Sequence, residues 1–152
     1  MNEQKNYVIP LVGAFLGILL SGAIWGGIAI ATEYEVGYVA LATGALTGYL
    51  VAIFAKKNVN FVHQLYAVVG SILGILFGKY VVISYSYNQI NDIGYFDDVI
   101  WAVYKELIIG SLKPMDYLFF VLAIVTAWQF TKSTAKKAKK ADNSASEPSV
   151  PQ

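Results

Sequence analysis

Cysteine and arginine are both missing from this 152-residue chain, and histidine occurs once. Without cysteine there is no disulfide, no thiolate nucleophile and no thiolate metal site. With His63 as the single imidazole, a multi-histidine metal site within one chain is excluded. All eleven basic residues are lysine, so bidentate guanidinium clamps on phosphate or carboxylate are absent. Charge is scarce: 14% of residues carry it, against about one-quarter in a soluble domain. No Ser-His-Asp set, metal-ligand spacing or phosphate-binding loop is legible. No catalytic, cofactor or metal residue is therefore assigned, and an enzyme is not expected. Nucleic-acid binding lacks arginine and aromatic support.

What the chain has instead is apolar length. Hydrophobic residues make up 57% of it, with a mean hydropathy of +0.54. The charges are unevenly placed and leave long runs with none. This pattern predicts an all-α integral membrane protein with four transmembrane helices over about 7–32, 36–55, 61–83 and 114–131. The first run holds twelve Val, Ile, Leu and Phe residues. On the insertion scale they contribute on the order of −4 to −7 kcal/mol. The second run, at about 1.5 Å rise per residue, just crosses a hydrocarbon core of about 30 Å. Lys79 sits near the end of the third, where its stem can snorkel to the headgroups. Pro114 and Asp116 suit the start of the fourth. A secretory signal peptide is the rival reading of the first run, but Glu3 cancels Lys5 and the apolar stretch is too long.

Orientation follows from lysine placement. Lys5, Lys56, Lys57, Lys132, Lys136, Lys137, Lys139 and Lys140 fall on one side. The other side has Lys79, Lys105 and Lys113 against seven acids. The basic side is read as cytoplasmic, which places both termini inside a cell membrane. Residues 132–152 form a basic and then disordered cytoplasmic tail, whose Lys132–Lys140 stretch could contact anionic lipid.

Eleven of the thirteen glycines fall in the first three spans. Gly13 and Gly17, Gly44 and Gly48, and Gly70, Gly74 and Gly78 are each four apart, hence on one helix face. Missing side chains let backbones approach where lipid offers no hydrophobic drive. Two uses are open: an oligomer interface, or packing within the chain, which a four-helix chain must satisfy first. Val12–Leu19 also lines up with Val69–Leu76, as two related hairpins would, although the fourth span has no glycine and breaks the pattern.

Residues 84–116 form the outer loop. Within it, 95–109 predicts a short amphipathic interfacial helix with Phe96, Val99, Ile100, Val103, Tyr104 and Leu107 on one face. Glu35, Lys79 and Asp116 make a candidate outer polar cluster, with a Glu35–Lys79 pair set against two independent snorkelling charges. His63 is a candidate for titration near neutral pH, or an interfacial polar contact. Ser21, Thr43, Thr47 and Ser71 can bond the preceding turn's carbonyl and need no function.

The run Tyr34-Glu35-Val36-Gly37-Tyr38-Val39-Ala40, followed by Gly44, Gly48, Gly74 and Gly78-Lys79-Tyr80, resembles a recurrent group of small, uncharacterised bacterial multi-pass membrane proteins. Their pattern is Y-E-x-G-x-x-A-x-x-x-G-x-x-x-G in the second span. The resemblance covers about Pro10 to Tyr80, implies a small bacterial membrane protein, and carries over no catalytic residues. The expected function is a non-enzymatic membrane component that packs against itself or a membrane-protein partner. The alternative is a small oligomeric channel or transporter subunit. A polar cavity past Thr43, Thr47, Ser71 and Tyr66 would favour transport; a solid core would favour the first reading.

Overall fold

The computed structural model describes residues 7–34, 37–55, 58–110 and 113–146. Those residues are all-helical, in the order α1 (Val8–Thr32), α2 (Gly37–Phe54), α3 (Phe61–Asn91), α4 (Asp98–Gly110) and α5 (Pro114–Ser146). α1, α3 and α5 are long and apolar enough to cross a membrane, which points to a multi-pass membrane protein. α2 is apolar but shorter, at 18 residues.

Local chemistry sets most helix ends. Asn60 caps α3: its side chain accepts from the His63 N–H, and His63 Nδ1 accepts from the Asn60 N–H, both at 3.2 Å. Two backbone donors that the first turn leaves unpaired are satisfied reciprocally. α1 and α3 end on left-handed residues, Glu33 (φ 57°) and Asp92 (φ 51°). Asp97 caps α4 by accepting from the Val99 N–H at 2.9 Å, so it precedes the helix, and the expected start at residue 95 moves to Asp98.

Two helices overrun their expected ends. α3 continues past residue 83 to Asn91, so eight residues of the expected outer loop are helical. Neither glycine nor proline occurs between Lys79 and Gly94 to stop it. α5 continues past residue 131 through the lysine stretch to Ser146. That segment is rich in alanine and lysine, both strong helix formers, and meets no proline before Pro148.

α1, α2, α5 and α3 form a ring in that order, and α2 and α3 also meet across it. Gly22 and Gly26 of α1 face Gly74, Gly78 and Val81 of α3, so these two helices run parallel. Gly13 and Gly17 face Leu50, Phe54 and Thr47 of α2, which runs antiparallel to α1. Gly44 and Gly48 face Ala123, Ala127 and Thr131 of α5. A repeat of two hairpins about a twofold axis would pair α1 with α5 as it pairs α2 with α3. Among the described residues only the second contact exists.

The core is rich in alanine, with Trp25, Ile75 and Phe119 its largest side chains. Ala14, Val51, Ala67 and Ala127 form one buried cluster, and Ala40, Ile75, Phe119 and Ala123 another. Large apolar side chains such as Phe15, Leu19, Leu73 and Val121 point outward. This inverts a water-soluble bundle and suits a lipid solvent, where close backbone approach replaces hydrophobic burial as the reason to pack.

Candidate functional site

The hydroxyls in the middle of the bundle spend their protons on their own helices. Thr43 donates to Val39 O at 3.0 Å, Thr47 to Thr43 O at 2.9 Å, and Ser71 to Val68 O at 2.8 Å. Each bond closes on the residue's own helix, as serine and threonine do in apolar surroundings. All three side chains are buried. The Thr47 methyl fills the space beside Gly17 and Gly70, and the Thr43 methyl packs beside Gly74. The glycine ridges are thus occupied by side chains and backbone of the same chain. At Gly48 an added Cβ would stand 2.7 Å from the Ala127 carbonyl oxygen.

A buried ion pair joins α3 to α5 at the end of the bundle where α5 begins. Lys79 Nζ lies 2.8 Å from Asp116 Oδ1, with side chains only 13% and 5% exposed. α3 supplies the ammonium after about five turns, and the first turn of α5 supplies the carboxylate. The other carboxylate oxygen accepts from the Lys113 N–H at 3.0 Å, while the Asp116 N–H donates to Lys113 O at 2.8 Å. One acid therefore fixes the helix start and holds the cation. Trp25 of α1 completes the site: its ring lies 5.6 Å from Lys79 Nζ and is 1% exposed. An ammonium over an indole face gains ring-quadrupole attraction that grows when water is excluded. Glu35, the third member of the expected cluster, lies outside the described residues.

Above this pair, α4 packs on α3 through aromatics. Tyr104 donates to Leu76 O and Tyr80 to Tyr95 O, each at 2.9 Å. Burial pushes the Tyr104 phenol above its ordinary pKa. Of the face expected on α4, Ile100 is fully buried and Tyr104 half-buried, whereas Phe96, Val99 and Leu107 are exposed. An apolar groove of about 710 Å³ separates α4 from α1 and α3, lined among others by Phe15, Phe77, Tyr80 and Trp101.

His63 serves the α3 cap at the inner end, its ring 5.7 Å from that of Tyr7 and 6.4 Å from that of Tyr66. Its Nε2 is buried without a hydrogen-bond partner among the described residues. Sequence reasoning missed two roles here: Trp25, which nothing in the sequence marks as the ring beside Lys79, and Asn60, whose capping partner is a histidine instead of the usual acid or amide. No group of three or more His, Asp or Glu side chains could hold a metal ion among the described residues. No family model matches the chain, and no match was found among curated proteins or solved structures.

Proposed function

We propose that this chain is a bacterial cell-membrane protein with four spans, α1, α2, α3 and α5, both termini cytoplasmic and α4 in the outer interface. In this reading it is not an enzyme and acts by helix packing with a second copy or a membrane-protein partner. Two features support the span count. α2 at about 1.5 Å per residue is about 27 Å long, close to a hydrocarbon core. It also lies among α1, α3 and α5. An even count agrees with Lys5, Lys56, Lys57 and the lysines of 132–140 all falling on one side.

The observation that supports the functional reading is the close packing in the middle of the bundle, where Thr43, Thr47 and Ser71 donate to their own helices and the Thr43 and Thr47 methyls stand against glycine. A conduit needs polar groups free to replace a solute's hydration. The glycine ridges are spent inside the chain, so association falls to the outward apolar faces, such as Phe15 and Leu73.

The runner-up, an oligomeric channel or transporter subunit, has the desolvated Lys79–Asp116 pair in its favour, since intramembrane charge marks ion pathways. Reconstitution into liposomes separates the two. Proton and potassium leak stays at the protein-free level under the packing reading, and cross-linking of the lipid-embedded chain captures a dimer or higher species. Flux above protein-free vesicles that vanishes with Lys79→Met would replace this reading with the runner-up.

A further inference from the structure

The overrun of α5 builds a feature that neither α2 nor the lysine stretch has alone. On α5, Phe130, Ser133, Thr134, Lys137 and Ala138 are spaced three and four apart and share one stripe. Together with Tyr49 and Ile53 of α2 they line a groove of about 920 Å³ at the inner ends of the two helices. Its chemistry is graded. Tyr49, Ile53 and Phe130 make an exposed apolar wall toward the bundle. Ser133, Thr134 and Lys137 put two hydroxyls and an ammonium at the far end. Among the described residues no acidic side chain lines it.

We propose that this groove binds an anionic phospholipid. An acyl chain lies along Tyr49, Ile53 and Phe130, and the phosphate accepts from the Ser133 and Thr134 hydroxyls and the Lys137 ammonium. An amphiphile fits because both halves of the groove then find a partner; a free phosphate would leave the apolar half unused. Lys137 is the lysine in the groove. Lys132 instead lies over the Trp128 ring, at 5.8 Å. Lys139, two residues on, projects to nearly the opposite side of the helix. The proposal rests on the membrane reading above.

The test uses the full chain in mild detergent with equal amounts of phosphatidylglycerol and phosphatidylcholine, and native mass spectrometry counts the adducts. The wild type retains phosphatidylglycerol preferentially. Lys137→Gln lowers that preference about fivefold, the loss of one surface lysine contact. Lys137→Arg keeps it, and Lys139→Gln changes it less than about twofold. Circular dichroism checks that each variant retains its helix. Equal loss in Lys137→Gln and Lys139→Gln would mean diffuse attraction to a basic tail and overturn the site. So would absence of any preference in the wild type, or displacement of the lipid by soluble glycerol phosphate at equal concentration. A chain that stays soluble without detergent and binds neither lipid would overturn the membrane reading together with the site, whereas equal binding of both lipids overturns the site alone.

Discussion

Where α1 meets α3, glycine faces glycine: Gly22 and Gly26 lie against Gly74 and Gly78. Where α2 meets α5, glycine stands on one side only, and Gly44 and Gly48 receive Ala123, Ala127 and Thr131. Both seams bring backbones close, which lets dispersion and Cα–H···O contacts form in a solvent that offers no hydrophobic drive. The difference lies in what each seam can forgive. At Gly78 the nearest atom to an added Cβ belongs to the Trp25 ring, whereas at Gly48 it is the Ala127 carbonyl oxygen. The seam between α3 and α5 is held at one end by the Lys79–Asp116 pair and at the other by the Phe61–Trp128 edge contact.

The contrast can be broken most forcefully at the charge tie. Asp116→Ala takes the carboxylate away from a Lys79 ammonium that stays largely buried beside Trp25, and should cost on the order of 3–5 kcal/mol. The double variant Lys79→Met/Asp116→Leu should recover most of that loss, because a desolvated pair gains little net stability over well-packed apolar groups. Unfolding of the lipid- or micelle-bound chain by a denaturing detergent, followed by circular dichroism, measures both. An additive double variant would mean that the two side chains do not interact.

Gly48→Ala and Gly78→Ala sharpen the seam comparison by the same assay. Overpacking costs about 1–3 kcal/mol. The α2·α5 variant should sit at the top of that range because a carbonyl within a helix cannot yield. The α1·α3 variant should sit lower because the atom in the way belongs to a side chain, the Trp25 ring, and the nearest carbonyl oxygen, that of Gly22, stands at 3.1 Å and not 2.7 Å. The reverse order would overturn the distinction between the seams. Asn60→Ala, which removes the α3 cap without touching either seam, should cost about 1 kcal/mol. Thr47→Val should be smallest, within about 1 kcal/mol, since the methyl that fills the seam is kept and the hydroxyl's hydrogen bond closes on its own helix. A larger loss would mean that the hydroxyl has another partner.

The all-helical architecture was legible because uncharged runs and glycine spacing depend on the chain alone. The self-bonding of Thr43, Thr47 and Ser71 was legible for the same reason: the acceptor lies one turn away. The contact of Lys79 with Asp116 was legible only as a possibility, because whether the first turn of α5 reaches α3 depends on helix rotation and on the ring order of the bundle. Sequence placed Asp116 as a candidate member of the outer cluster, and packing brings it to 2.8 Å from Lys79. The role of α5 in a small-residue seam was hidden because it uses Ala123 and Ala127, which read as ordinary helix formers. The overruns of α3 and α5 were hidden because apolar content was used to end the helices, while backbone propensity continues them into polar sequence.

The absence of native cysteine makes one experiment decisive for the central claim of a solid, membrane-crossing bundle. Single cysteines at Thr47, Ser71, Ser86 and Ser144 are exposed to a membrane-impermeant maleimide, first in intact cells and then after permeabilisation. The account predicts labelling of Ser86→Cys from outside, labelling of Ser144→Cys only after permeabilisation, and none at Thr47→Cys or Ser71→Cys in either state. Labelling at the two central positions, or of Ser86→Cys and Ser144→Cys from the same side, would contradict it.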